Sequence, residues 1–515
     1  MNLNKLFATL RQHKNTPARN QQADRRERYT HALEQFLDGH QPAVRLGGAY
    51  TLANLADEWL TDASLPEQIR REEAQAIIDA LTGCIRTPYP LAQKRQALES
   101  DDAPEGYEGD FTRDQEALRE EQLVRRTVFM EFSRRLASIT ESAEKDNRES
   151  QHSVPPISPM WADLRFDFGG APIFYPLQQL HFQNADFASA TFYGPADFSG
   201  ATFRGDTSFS AAQFTADASF HGANFTGEAD FSDAIFSAAA DFGVASFEAD
   251  ADFSRLNTAG IASFTAVTFD GEALFTASTF HDEAHFAASV FNRPAVFSDS
   301  LFGGAARFAG IATKQSAMFS NVRFTGAADF SGATFTQFAD FGGARFDGDA
   351  MFSRSSFFEV LRTSYDMDFP QYANFANAAF AQGADFSKAT FTASVGFGRV
   401  TFAGAVNFNG ASFASAYFAD ATFSQKADFM QTRFSYAKPS FGDSEGHQKS
   451  ALFSAQADPQ DYLFEARPES PHGFSCGETE LLNRTFVLPL GTVLYDPDSW
   501  DEEKQEYTRV SEPAQ

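Results

Sequence analysis

The stretch ADFSGATFTQFADFGGARF, residues 328–346, returns to phenylalanine at intervals of five or six residues. The alternation extends far beyond this stretch, in a chain with 59 phenylalanines and only 3 tryptophans. We call each phenylalanine position of this alternation a slot. The first slots are Phe187, Phe192, Phe198, Phe203, Phe209, Phe214, Phe220, Phe225, Phe231, Phe236, Phe242, Phe247 and Phe253. One aromatic residue therefore fills a recurring structural slot in an eleven-residue unit of the form ADFSxATFxGx.

This spacing excludes a continuous helix and a plain strand. A helix repeats every 3.6 residues and a strand every two, and neither period matches intervals of five and six. A chain that turns a corner after each phenylalanine does match them.

Three slots lack phenylalanine, and they test this register. They hold Thr258, Thr313 and Thr363. Two positions earlier, where alanine is usual, stand Leu256, Ile311 and Leu361. Protein cores tolerate exchanges that conserve volume better than voids, so both positions are predicted to face the interior.

The regular spacing of the slots is also interrupted once and later restored. An insertion of one residue is predicted between Thr363 and Phe369, and a compensating deletion between Phe413 and Phe418. Bulged corners would accommodate both changes.

The units Ala185-Asp186-Phe187-Ala188-Ser189 and Ala196-Asp197-Phe198-Ser199-Gly200 resemble the pentapeptide-repeat family. The resemblance implies a mainly β fold, a right-handed quadrilateral β-helix with four repeats per coil. The extra residue of alternate units is placed at a corner, which gives coils of 22 residues, so that residues 22 apart are expected to stack on one face. The N-terminal stretch from Arg28 to Trp59 resembles the helical segment that precedes the repeats in many actinobacterial members.

Four regions are predicted along the chain. Residues 1–140 form an α-helical N-terminal domain, in which Gly47 and Gly48 allow a close contact between helices. Residues 141–160 are a flexible linker, and residues 161–434 form the β-helix, with its first end capped by residues 161–180. Residues 435–515 are an acidic C-terminal tail or cap, with one or two strands within residues 485–495, and SWDEEKQEYTRV, residues 499–510, is expected to be a mobile acidic end or a partial cap.

Composition excludes several functional classes. The formal net charge of −28 disfavours direct binding to nucleic acid. No segment has the roughly 18 to 20 consecutive apolar residues of a membrane span, and no signal peptide is recognisable, so a cytoplasmic location is expected. No catalytic motif or cofactor is predicted, and His281 and His285 lack the arrangement of a zinc-protease motif. Cys84 and Cys476 are expected to be free thiols.

Residues immediately before each slot are predicted to point outward. One column of them, 22 residues apart, is apolar at its centre: Asp186, Ser208, Asp230, Asp252, Leu274, Val296, Met318 and Asp340. Leu274, Val296 and Met318 would form a patch of the kind that marks a partner site. Cover by the linker, by the tail or by a dimer mate remains the alternative.

The outward aspartates are the second candidate. They include Asp186, Asp197, Asp230, Asp241, Asp252, Asp329 and Asp340. The family resemblance implies a concrete role, since certain members mimic DNA and bind DNA gyrase. The opposite column weakens this reading, because it runs Asp197, Ser219, Asp241, Ser263, His285, Arg307, Asp329, Met351. An acidic surface that only keeps the protein dissolved is the alternative.

The sequence therefore predicts a non-enzymatic interaction or scaffold protein that binds a protein partner, with homo-oligomerisation left open. A DNA mimic that modulates gyrase or another topoisomerase is the second hypothesis.

Overall fold

A computed structural model describes residues 17–38, 41–136, 160–177, 181–358, 373–442 and 449–515. The chain divides into two compact units, one of residues 1–217 with 225–227 and one of residues 218–224 with 228–515. The first unit contains five helices among its described residues: α1 (Pro17–Phe36), α2 (Pro42–Thr61), α3 (Glu67–Arg86), α4 (Arg95–Leu98) and α5 (Phe111–Leu136). A 3-10 turn, Pro90–Lys94, leads into α4. None of these described helices is long and apolar enough to cross a membrane.

Helices α1 and α2 approach each other closely at one glycine. A Cβ atom added to Gly48 would lie 2.5 Å from the Phe36 nitrogen and 2.7 Å from the Ala32 oxygen, both backbone atoms of α1. A Cβ atom on Gly47 would meet nothing within 4 Å. The predicted close contact is therefore confirmed for Gly48, whereas Gly47 lies on the open side of α2.

A buried arginine joins α5 to the end of α3. Arg125 donates hydrogen bonds to Glu121 (2.6 Å) and to the carbonyl oxygens of Ile85 (2.6 Å) and Thr87 (2.9 Å). Burial opposes ionisation of Glu121, but hydrogen bonds from Arg45 and Arg125 outweigh it and lower the pKa of this carboxyl group. The buried charges are thus paired, and each also satisfies backbone acceptors or a neighbouring donor.

Helix α5 also covers the first coil of the β-solenoid. The Phe129 ring stacks on that of Phe168 at 4.8 Å, and Phe168 stacks in turn on Phe187 at 4.8 Å. Phe132 packs edge-on against Phe166 at 5.2 Å. Residues 161–177 were expected to be a cap, but they form a coil themselves, because their rings continue the internal column. The helix supplies the apolar cover that an exposed terminal coil needs.

Polar contacts fasten the helices to the same coil. Gln75 accepts from the Arg165 amide and donates to the Arg165 carbonyl oxygen, each at 2.9 Å. Arg71 pairs with Asp163 at 2.6 Å, and Gln122 donates to the Phe174 carbonyl oxygen at 2.8 Å. The helical region is therefore attached directly to the solenoid. The predicted linker, residues 141–160, lies outside the described residues except for Met160.

The strands of the first unit are short and pair in parallel. They are Phe166–Asp167, Pro172–Ile173, His181–Gln183, Ala185–Asp186, Thr191–Phe192, Ala196–Asp197, Thr202–Arg204, Thr207–Ser208 and Gln213–Phe214. Asn224–Phe225 spans the boundary between the units.

The second unit contains four parallel ladders, which we number in the order that the chain visits them from Ala229 onward. Ladder 1 contains Ala229–Asp230, Ala251–Asp252, Ala273–Leu274, Ala295–Val296, Ala317–Met318, Ala339–Asp340 and Ala373–Asn374. Ladder 2 contains Ile235–Phe236, Asn257–Thr258, Thr279–Phe280, Leu301–Phe302, Arg323–Phe324, Arg345–Phe346, Ala379–Phe380, Thr401–Phe402 and Thr422–Phe423. Ladder 3 contains Ala218–Ser219, Ala240–Asp241, Ala262–Ser263, Ala284–His285, Ala306–Arg307, Ala328–Asp329, Ala350–Met351, Ala384–Asp385, Val406–Asn407 and Ala427–Asp428.

Ladder 4 contains Ser246–Phe247, Thr268–Phe269, Val290–Phe291, Ala312–Thr313, Thr334–Phe335, Ser356–Phe357 and Arg433–Phe434. Two longer strands, Thr390–Gly396 and Ser412–Tyr417, run from ladder 4 across a corner into ladder 1. The predicted β-solenoid, with four short strands per coil, is confirmed.

Between residues 185 and 434, the register follows the predicted 22 residues with two exceptions, whereas the pairings before and after this range have other spacings. Ala339 pairs with Ala373, 34 residues on, so the coil between ladders 4 and 1 contains 12 extra residues. The predicted one-residue insertion is therefore wrong, although Thr363, Phe369 and Leu361 themselves lie outside the described residues. The later deletion is confirmed, since the spacing falls from 22 (Thr390 to Ser412) to 21 (Ser394 to Ser415).

Phenylalanine rings fill the interior in two geometries. Along the solenoid, Phe253 stacks on Phe275 at 4.8 Å with an interplanar angle of 3°. Within a coil, Phe253 meets Phe264 edge to face at 5.2 Å and 87°. Both arrangements suit the aromatic quadrupole, and the 4.8 Å repeat equals the spacing of hydrogen-bonded strands.

The substituted slots confirm the volume exchange. Thr258 and Thr313 are buried, as are Leu256 and Ile311 two positions before them. Neither threonine hydroxyl has a hydrogen-bond partner among the described residues. Leaving a buried hydroxyl unpaired costs about 1–3 kcal/mol, so shape rather than polarity accounts for these residues.

Residues 449–515 continue and then close the solenoid. Leu452–Ser454 and Val493–Tyr495 extend ladder 2, and Tyr462–Leu463 extends ladder 3. Two antiparallel hairpins follow, Cys476–Leu481 with Arg484–Pro489 and Trp500–Asp501 with Glu506–Tyr507. The predicted strands within residues 485–495 are confirmed. Of the two alternatives for residues 499–510, the mobile end is wrong, because Trp500–Asp501 and Glu506–Tyr507 form a paired hairpin. Both cysteines are free.

Replacing Gly48 with alanine is expected to lower the free energy of unfolding by about 3 kcal/mol, because the new methyl group overlaps the α1 backbone. Gly47→Ala is the matched control, and it is expected to raise stability by up to about 1 kcal/mol through helix propensity alone. Urea denaturation followed by far-UV circular dichroism measures both. Equal effects at the two glycines would contradict the close approach at Gly48.

Candidate partner-binding surface

Ladder 1 carries the column that contains the predicted apolar patch. Backbone pairing places Asp230 beside Asp252, Asp252 beside Leu274, and Leu274 beside Val296. Val296 lies beside Met318, and Met318 beside Asp340. The predicted stacking is therefore confirmed for this part of the column. Leu274, Val296 and Met318, which we call the apolar strip, are half-buried on the outer face.

The positions two residues before and two residues after each member of the apolar strip are almost all uncharged. Thr276, Ser298 and Ser320 lie two residues after its members, and the Ser298 and Ser320 hydroxyl groups are 2.9 Å apart. Two residues before the strip stand Glu272, Pro294 and Ser316, so Glu272 is the one charged residue among these six positions. This arrangement suits an apolar segment of a protein better than a polyanion or a polycation.

Outward aspartates have a structural task at the corners. At each, the carboxylate Oδ1 accepts a hydrogen bond from the backbone N–H two residues later, for example Asp252 from Ser254 at 2.7 Å. The same bond, at 2.8–3.0 Å, is made by Asp186, Asp197, Asp230, Asp241, Asp329 and Asp340. This side-chain cap stabilises the turn that follows and accounts for aspartate at this position.

Leu274 and Val296 of the apolar strip lack that side-chain cap. Leucine and valine have no acceptor for the N–H two residues later, so Leu274 and Val296 cannot make the turn bond that their neighbours Asp252 and Asp230 make. They also leave apolar surface on the outer face. Three successive positions of ladder 1 therefore carry apolar side chains, with Asp252 before them and Asp340 after them.

Ladder 3 presents a different face. Its column includes Asp241, Ser263, His285, Arg307 and Asp329, in that order. Glu283 lies 2.9 Å from both His285 and Arg307. The hydrogen bond from His285, together with the charge of Arg307, lowers the pKa of Glu283. Positive groups thus interrupt the acidic column, and no set of three potential metal ligands occurs among the described residues.

Asp186 and Asp197 belong to the first unit. There Asp186 pairs with Ser208 on one ladder, and Asp197 begins another column. The remaining predicted residues belong to the second unit, on ladders 1 and 3. Whether any of them binds a partner stays a prediction.

Sequence reasoning missed two features of this surface. The turn-capping role of aspartate was readable from the recurring Asp-Phe-Ser/Gly order, in which a small residue carries the N–H that the carboxylate binds. The basic and apolar outer face of α5 was also missed, because helical periodicity alone does not tell which side meets the solenoid.

Comparison with known proteins bears on the repeats only. The family model described as pentapeptide repeats (9 copies) matches residues 187–235 and 315–362. No curated protein and no solved structure matches the chain.

Asp252→Ala is expected to lower the free energy of unfolding by about 1 kcal/mol, because the Ser254 N–H loses its partner. Asp252→Asn keeps an acceptor oxygen in the same place and is expected to change stability much less. Thermal or urea unfolding of the two variants measures the difference. Equal losses would show that the charge, and not the hydrogen bond, stabilises the turn.

Proposed function

Because the chain carries pentapeptide repeats folded as a β-solenoid, we propose that it is a non-enzymatic scaffold that binds an apolar segment of a protein partner. The observation that carries this proposal is the apolar strip on ladder 1, where turn-capping aspartate is otherwise frequent. Repeat solenoids commonly offer such continuous faces to other proteins.

The strip suits binding without reorganisation. Its three residues lie on adjacent strands about 4.8 Å apart, so they span roughly 10 Å of rigid backbone. Because the ladder is already hydrogen-bonded, a partner would not have to order it, and less free energy is lost on association. The flanking hydroxyl groups of Thr276, Ser298 and Ser320 can then accept or donate hydrogen bonds at the rim.

Val296→Asp is expected to abolish partner binding while it preserves or raises stability, since aspartate there can cap the Ser298 N–H. Val290→Asp is the matched control, because Val290 points outward on ladder 4 at a similar burial. Affinity capture with the full chain, together with sedimentation of the purified protein, measures binding and self-association. The proposal expects a captured protein that is lost with Val296→Asp and kept with Val290→Asp.

Two other results would overturn this assignment. Identical captured proteins for all three chains would place the binding site elsewhere. A change of oligomeric state with Val296→Asp alone, and no change in captured proteins, would mean that a second copy covers the strip.

The second candidate function is a DNA mimic that acts on gyrase. Stacked carboxylates such as Asp230 and Asp252 favour it, because they repeat at a regular rise. The turn caps and the interruption by Leu274, Val296 and Met318 speak against it. We therefore expect no effect of the full chain on gyrase supercoiling.

The triple change of Asp230, Asp252 and Asp340 to asparagine sharpens that assay, because asparagine retains the turn cap and removes the charge. Inhibition by the unmodified chain that the triple variant loses would establish the mimic. Unchanged supercoiling with both chains would support the scaffold.

A further inference from the structure

The solvent side of α5 combines basic and apolar residues in one stripe. Arg119, Leu123, Arg126, Met130 and Arg134 follow one another at intervals of four and three, which places them on one helix face. Leu123 is 52% exposed and Met130 59%. The opposite side of the same helix is the one that packs on the first coil.

The arginines of this α5 stripe are largely free to meet a partner. Among the described residues, Arg119 and Arg126 form no ion pair. Arg134 lies 2.9 Å from Glu131, but 65% of its side chain stays exposed. Glu116 and Glu120 are also exposed on this helix beside Arg119, but the three arginines of the stripe outnumber them, in a chain of net charge −28.

The C-terminal hairpin has the complementary character. Trp500 is 42% exposed, and its ring lies 4.9 Å from that of Tyr507 on the paired strand. Glu502, Glu503 and Glu506 are exposed on the same hairpin. The one lysine there, Lys504, is 3.6 Å from Asp501. Residues 500–507, the acidic hairpin, thus present carboxylates around an aromatic ring.

We propose that the acidic hairpin of one copy docks on the α5 stripe of a second copy. Trp500 packs between Leu123 and Met130, where the Met130 sulfur suits an aromatic partner. The glutamates pair with Arg119 and Arg126, which present planar donors to carboxylates. Because the two surfaces differ, the contact is head-to-tail, and each added copy offers a new pair of surfaces.

Charge separates this occupant from two others, namely residues 1–16 of the chain itself and an anionic membrane. The chain's own residues 1–16, which lie outside the described residues, carry Lys5, Arg11 and Lys14, of the same sign as the stripe. An anionic membrane would attract the stripe but repel a chain of net charge −28.

Sedimentation velocity of the full chain over rising concentration tests the proposal. The mean mass is expected to increase with concentration and to fall back towards the 56.6 kDa monomer in high salt. Arg126→Glu and Glu503→Arg are each expected to weaken self-association at least tenfold. Arg113→Glu on α5 and Glu469→Arg near the C-terminus are exposed residues outside the two surfaces and serve as controls.

Mixing the two variants provides the decisive result. The Arg126→Glu chain keeps its hairpin and the Glu503→Arg chain keeps its stripe, so the mixture is expected to form hetero-complexes that neither forms alone. A single monomeric species for the unmodified chain at all concentrations would overturn the proposal. Self-association that Arg126→Glu and Arg113→Glu weaken equally, or no complex in the mixture, would overturn it as well.

Discussion

The stacking of phenylalanine rings at the spacing of β-strands is the constraint on which the rest of this protein depends. Rings in successive coils, such as Phe253 and Phe275, lie 4.8 Å apart and almost parallel. The same distance separates strands that share backbone hydrogen bonds. The same rise from one coil to the next therefore allows both the stacking of the rings and the hydrogen bonding of the backbone. A residue of another size at a slot must be compensated within its own coil, as Leu256 compensates Thr258.

This constraint explains how much of the fold could be predicted from sequence. The slots follow from periodicity, and the 22-residue register and the outward column on ladder 1 follow once the family resemblance supplies four repeats per coil. The 12-residue insertion could not be found in this way. Phe369 lies six residues before Phe375, so its spacing imitates a slot while the ladder passes directly from Phe341 to Phe375. The docking of α5 was equally hidden, since Phe129 and Phe132 satisfy a helical pattern whatever they contact.

Some outward side chains stabilise the turns of the coil through hydrogen bonds, and others do not. An aspartate before a slot is already explained by its bond to the following turn, so its charge is weak evidence for a ligand. Leu274 and Val296 forgo that bond, so their side chains have no corresponding task in the turn. In a repeat protein, a local departure from the favoured residue is more informative than the residue itself.

The coil that contains the insertion closes as tightly as its neighbours, with Phe341 and Phe375 stacked at 4.9 Å. Each coil needs only the rungs directly above and below it, so extra chain at a corner leaves the remaining contacts untouched. The corner between ladders 4 and 1 thus tolerates inserted residues, and it adjoins ladder 1, which contains Met318. New binding loops could be acquired there by evolution, or installed by design, without rebuilding the scaffold.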